Sequence, residues 1–136
     1  MPNPARHTIL VVEDDPGERT VMELLLVFGG YAVTGTPDGG QALAYVADSP
    51  PDLIVLDITL TASMGGMEVL ARLKAREQTA AIPVLMLTAD PRESQQERAL
   101  GLGAECYMTK PYAGAELIAN VRRCMEPQSL SKVESL

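Results

Sequence analysis

Leu53-Ile54-Val55-Leu56-Asp57-Ile58-Thr59-Leu60-Thr61 (LIVLDITLT) runs four apolar residues straight into one aspartate and then turns apolar again. A strand over 53–57 has no wet face. Apolar residues on both faces mark a sheet covered on both sides, hence parallel strands joined by crossover helices. Two more segments read the same way: TILVV (8–12) and IPVLMLT (82–88), the latter with Pro83 near its start. YAVTGT (31–36) alternates like a strand with one wetter face, and ECYMT (105–109) is a last strand.

Helical patterns fill the gaps between them. PGERTVMELLLVFGG (16–30) has Pro16 in its first turn, Glu18 near its positive end and a glycine pair to stop it. DGGQALAYVAD (38–48) opens on Asp38 as N-cap, and Ser-Pro-Pro-Asp (49–52) is a turn. GMEVLARLKARE (66–77) places Val69, Leu70 and Leu73 on one side. PRESQQERALGLG (91–103) is a polar helix, and AGAELIANVRRCM (113–125) turns Leu117, Ile118, Val121 and Met125 inward. The result is five βα units and, with right-handed crossovers, a doubly wound α/β sheet. EPQSLSKVESL (126–136) is a polar tail with weak periodicity.

Composition narrows the function classes. A chain of 136 residues reads as one domain with enough core to need no staples. The net charge of -7 disfavours nonspecific nucleic-acid binding, and with no Trp and one Phe there is no stacking platform for single strands. No apolar run approaches the ~20 residues of a membrane helix, and MPNPARH has no apolar signal core. Cys106 and Cys124 lack zinc-ligand or CxxC spacing and read as reduced, partly buried thiols of a cytoplasmic protein.

In an open α/β sheet, ligands gather at the carboxyl ends of the strands. The first strand delivers Glu13-Asp14-Asp15 there, the third Asp57, the fourth Thr88, and the fifth is followed by Lys110-Pro111. The second gives only Gly35-Thr36. Clustered carboxylates raise one another's proton affinity unless a cation neutralises them. All-oxygen donors suit Mg²⁺ better than a soft metal. A lysine and a hydroxyl add donors for a small anion such as phosphate, and a carboxylate in that setting is a nucleophile towards phosphorus. Each residue also has a plainer reading. Asp15, ahead of Pro16, suits an N-cap, Thr88 a hydroxyl satisfied by backbone, and Lys110 a solvated charge; their joint placement on central strands favours the site.

These motifs together resemble the receiver domain of bacterial two-component response regulators, the family with the chemotaxis-regulator fold. The likeness runs over about residues 7–126, leaving 127–136 as a tail or linker. ILVVEDDP looks like the family's acidic first-strand motif, PDLIVLD like the strand ending in the phospho-accepting aspartate, PVLMLTA like the switch-threonine strand, and GAECYMTKPY like the switch-aromatic and lysine-proline segment. The resemblance implies a flavodoxin-like, three-layer fold with strand order 2-1-3-4-5. It implies that Asp57 accepts a phosphoryl group from a sensor histidine kinase, a phosphotransfer protein or a small phosphodonor. Asp14 would ligate Mg²⁺ with Asp57 and the Thr59 backbone carbonyl, and Glu13 would hold it through water. Lys110 would pair with Asp57 and then with phosphoryl oxygens, and the Ala89 N–H would donate to them. Thr88 and Tyr107 would be drawn in as the switch, the readout being the face of helix 91–102, strand 104–108 and helix 113–125. The Lys110-Pro111 bond would be cis.

One departure stands out. Where the family places a proline four residues after the acceptor, this chain has Thr61, and the helix-opening glycine is Gly65 or Gly66. The loop is one residue longer and, without the proline, more flexible. Thr59 and Asp90 occupy positions that tune hydrolysis in the family. Three rivals compete. DITLT partly matches the DxDxT loop of haloacid-dehalogenase-type phosphatases, but residue 59 is Thr where the acid/base Asp would be. A flavodoxin-like binding module would need a phosphate loop where Glu13-Asp14-Asp15 stands. A receiver fold used only for docking is the third. The chain reads as a stand-alone receiver or a piece of a longer regulator or hybrid kinase, with a downstream partner or a missing output domain, and no direct contact with nucleic acid or membrane. Arg98, Arg122 and Arg123 with Glu93, Glu97 and Glu116 suit solvated helix faces better than a dimer face.

Overall fold

The computed structural model describes residues 6–60 and 64–126. Five strands, β1 (Thr8–Val12), β2 (Ala32–Thr36), β3 (Leu53–Asp57), β4 (Val84–Thr88) and β5 (Cys106–Thr109), alternate with five helices, α1 (Pro16–Phe28), α2 (Gly39–Asp48), α3 (Gly66–Ala75), α4 (Glu93–Gly101) and α5 (Gly114–Cys124). All strands are parallel in the order β2-β1-β3-β4-β5, as expected.

Strand alternation divides the core. Leu10, Val12, Ile54, Leu56 and Met86 face one layer, with Val46 of α2 and Leu70 and Leu73 of α3. Ile9, Val11, Leu53, Val55 and Leu85 face the other, with Leu26 of α1 and Leu117 and Val121 of α5. Every residue of β3 and β4 is buried. Each such Leu, Ile or Val contributes about 1.5–3 kcal/mol of burial, and that pattern is what makes LIVL legible as a strand.

Element ends depart from the sequence reading where tertiary bonds take over. α1 stops at Phe28, because the Tyr31 N–H returns to the Leu26 carbonyl at 3.1 Å and Gly30 takes a positive φ of 100°. A side chain with a Cβ would be strained at that φ. α3 ends at Ala75 instead of continuing to 77. The Thr79 hydroxyl caps the Leu73 carbonyl at 2.5 Å, and the Lys74 ammonium donates to the carbonyls of Ala80 and Ile82 at 3.0 and 2.8 Å. β4 begins only at Val84, after Pro83, and α4 is confined to Glu93–Gly101. The caps are as expected: Asp15 accepts from the Glu18 N–H at 2.7 Å and Asp38 from the Gln41 N–H at 2.8 Å, each worth about 1 kcal/mol.

Candidate functional site

The register brings the strand ends level. Val12 lies beside Leu56, Asp57 beside Leu87, and Thr88 beside Thr109. Glu13 follows β1 directly, Asp57 closes β3, Thr88 closes β4 and Lys110 follows β5, so residues far apart in sequence share one edge. Glu13 is pinned from both sides. Its N–H donates to the Thr36 carbonyl at 3.1 Å, and its own carbonyl accepts from Arg19 Nη1 at 2.8 Å.

Asp57 is only 2% exposed and Glu13 only 1%. Burying carboxylates is costly unless they are paired and hydrogen-bonded, and here they are. Lys110 Nζ donates to Asp57 Oδ2 at 2.8 Å, to Glu13 Oε1 at 3.0 Å and to Glu18 Oε1 at 2.7 Å. The other Asp57 oxygen, Oδ1, accepts from the Thr59 N–H at 2.8 Å and the Thr59 hydroxyl at 3.0 Å. Lys110 is therefore no solvated surface charge. Thr59 holds the aspartate in place and brings no second carboxylate, so the acid/base group of the phosphatase loop is missing at that position.

Glu13, Asp14 and Asp57 each offer a carboxylate oxygen, all within 4.8 Å of one another. Three hard oxygen donors at that spacing fit a metal ion. Burial, and then the hydrogen bond shared with Asp57, push Glu13 up to about 8. Burial also works against the charge of Asp57, but hydrogen bonds from Glu13, Lys110 and the Thr59 N–H outweigh it and hold Asp57 below the usual carboxylate range. Burial opposes the charge of Lys110 too, yet its bonds to Asp57, Glu18 and Glu13 keep it above the ordinary lysine range.

The remaining expected residues sit one step out. Thr88 is fully buried, and its hydroxyl accepts from the Asp90 N–H at 3.0 Å. The Tyr107 hydroxyl donates to the Asp90 carbonyl at 3.4 Å. Ala89 lies exposed between them. The Lys110–Pro111 peptide is cis. Thr61 lies outside the described residues, so the loop departure finds no structural account; the helix-opening glycine resolves to Gly66, with Gly65 as N-cap.

Two participants escaped the sequence reading. Glu18 had suggested only a helix-dipole partner, and Arg19 nothing; the signal was their place in the first turn after the acidic motif. Glu18 also lines a cavity of about 450 Å³ with Asp15, Gly17, Val21 and Tyr112, next to the lysine it holds. Among the described residues, no helix is long and apolar enough to cross a membrane.

Comparison with known proteins agrees with this geometry. The family model described as response regulator receiver domain matches residues 9–122. The chain is similar to the phosphate regulon transcriptional regulatory protein PhoB of Pseudomonas aeruginosa, 38% identical over 115 residues that make up 85% of this chain and 50% of that protein. It is likewise similar to the alkaline phosphatase synthesis transcriptional regulatory protein PhoP of Bacillus subtilis, 38% identical over 93% of this chain and 52% of that protein. The chain thus spans about half the length of these curated relatives. Among solved structures, a putative response regulator from Chloroflexus aurantiacus superposes with a TM-score of 0.84 at 31% identity, over 88% of this chain and 98% of that one. The chemotaxis protein CheY4 of Vibrio cholerae gives 0.83 at 27%, over 88% and 99%.

Proposed function

The chain belongs to the response regulator receiver domain family, and from that premise we propose that Asp57 is its phosphoryl acceptor. The observation that carries this reading is a buried Asp57, clamped by Lys110 at 2.8 Å inside a carboxylate cluster of metal-binding spacing. An Asp57 oxygen attacks the phosphorus of a phosphohistidine on a sensor kinase or phosphotransfer protein. The phosphorus–nitrogen bond breaks, and the imidazole leaves with the electron pair and recovers a proton from solvent. A small acyl phosphate serves equally, losing its carboxylate. Lys110 passes from Asp57 to the new phosphoryl oxygens, and the Ala89 N–H donates to them. Glu13, Asp14 and Asp57, with the Thr59 backbone carbonyl, are the residues that would hold Mg²⁺; bound there, it would supply positive charge opposite the incoming phosphoryl oxygens. The domain occupies 7–126, in a cytoplasmic setting, and acts on a downstream partner or output domain.

The test is intact mass after incubation with acetyl phosphate. One added phosphoryl group in the presence of Mg²⁺, and none after chelation, is the expected result. No adduct in a chain shown to bind magnesium would leave a receiver fold used only for docking.

Switching would start at Asp90. Thr88 grips its N–H and Tyr107 its carbonyl, so both switch side chains hold the same residue of the β4–α4 loop. A phosphoryl group that draws in the Thr88 hydroxyl takes it from the Asp90 N–H and releases that loop. The population then shifts by the difference in phosphoryl affinity between the two states. The readout face is α4, β5 and α5. Thr88→Ala is expected to keep phosphorylation within about threefold while most of the added hydrogen exchange at residues 89–92 on phosphorylation disappears. An equal exchange response in variant and parent would sink the coupling.

A further inference from the structure

α1 turns an apolar face to solvent. Among the described residues five large apolar side chains are exposed, and four of them lie on this helix: Val21, Leu24 and Val27, each a little over half exposed, and Phe28 at 86%. Phe28 is the chain's one phenylalanine. We propose that this face is the interface of a two-fold dimer, formed with a second copy of this chain whose α1 runs antiparallel to the first.

A helix face that only meets water ordinarily carries charge. α1 has three charged residues, and all are engaged elsewhere. Glu18 bonds Lys110 at 2.7 Å, Arg19 bonds the Glu13 carbonyl at 2.8 Å, and Glu23 lies against Gly35 of β2. Gly17, Thr20, Val21, Leu24, Val27 and Phe28 are left as an uncharged strip on a chain of net charge -7. The four apolar side chains together expose roughly 400 Å², a patch size that marks interaction sites on monomers.

The register of the strip selects the occupant. Gly17, Val21, Leu24 and Phe28 follow the alternating four- and three-residue spacing of a coiled-coil seam. The inner pair and the outer pair share one midpoint, between Met22 and Glu23. A two-fold axis there sets Val21 of one copy against Leu24 of the other, and Phe28 against Gly17. The ends match in shape. Phe28 is a knob, and Gly17 lines the cavity of about 450 Å³ with Asp15, Glu18, Val21 and Tyr112, which has room for the ring. One surface thus supplies both knob and hole, at positions that the two-fold exchanges. That self-complementarity favours a second copy over an unrelated helix.

The area sets the strength. Two such patches, with Thr20, Leu25 and Tyr112 at their rims, bury roughly 1,000 Å² in total, near the lower limit for a specific interface. The dimer is therefore reversible, with a Kd roughly in the tens of micromolar. Its seam carries no charge while the two copies repel, so salt should tighten it. The association does not depend on the proposed phosphoryl chemistry.

The experiment is sedimentation of the full chain over a concentration series. The expected result is a monomer at about 1 µM and a closed dimer at about 300 µM, with tighter association in about 0.5 M than in about 0.05 M salt. Phe28→Ser should loosen the dimer about thirtyfold or more. Val21→Lys and Leu24→Glu should each abolish self-association, and an equal mixture of the two should recover it. Across the antiparallel seam the introduced lysine of one copy meets the introduced glutamate of the other, while the remaining leucine meets the remaining valine. All three positions are exposed, and thermal unfolding confirms that each variant is folded. A parent chain still monomeric at the highest concentration, a dimer indifferent to Phe28→Ser, a mixture that stays monomeric, or open-ended assembly would each overturn the proposal. The concentration and salt series on the parent stand even if a variant fails to fold.

Discussion

Asparagine in place of Asp57 is expected to give a folded chain that gains no phosphoryl group from acetyl phosphate, with the adduct falling by at least about a hundredfold. The amide keeps nearly the same shape and can still accept the Thr59 N–H, but it has no ionised oxygen to attack phosphorus. Lys110 loses one of its three carboxylate partners and keeps Glu13 and Glu18. Glu13 in turn loses the neighbour whose charge and hydrogen bond help hold its proton. These changes oppose each other, so unfolding should stay cooperative with a midpoint within about 5 °C of the parent. Intact mass and thermal unfolding on the same preparations check both halves. An adduct of parental yield on Asp57→Asn would place the acceptor elsewhere and defeat the assignment.

Gly66→Ala is expected to be the most damaging of the conservative changes near the site. A Cβ at that position would lie 2.2 Å from the Asp57 carbonyl oxygen, 2.6 Å from the Ile58 Cα and 3.0 Å from the Asp57 carbonyl carbon. All three are backbone atoms, so no side chain can rotate away. Relief requires α3 to move off the end of β3, breaking the bond from the Gly66 N–H to the Ile58 carbonyl at 3.0 Å. The cost should be about 3 kcal/mol or more, with phosphorylation reduced in whatever chain still folds. Gly65→Ala supplies the contrast. Its Cβ would meet nothing within 4 Å and its φ of -77° suits any residue, so its stability should change by about 0.5 kcal/mol or less. Urea denaturation of the pair decides it; equal stabilities would show that the backbone yields at Gly66.

The residues most legible in the sequence were those with a single physical demand on them. β1 and β3 have the bounds read from their apolar runs, because burial on both faces forbids polar interruptions. Glu13, Asp57, Thr88 and Lys110 could be set on one edge because strand ends in such a sheet must be level. What stayed hidden depends on contacts between elements. Nothing in ARLKARE says that the helix stops at Ala75, since Thr79 and Lys74 collect carbonyls from a turn that exists only after folding. Glu18 is an unremarkable first-turn acid until the β5–α5 loop brings Lys110 over it.

Lys110 bonds Glu13 across 97 positions of sequence and Asp57 across 53. During synthesis, a chain emerging from the ribosome can present both acidic strands long before the lysine exists outside the exit tunnel. Until then, Glu13 and Asp57 lack the bonds from Lys110, and β4 lacks its β5 neighbour. The clamp on the acidic edge therefore waits for β5 and the loop after it. A truncated or stalled product that stops before β5 would carry the aspartate without the lysine that clamps it.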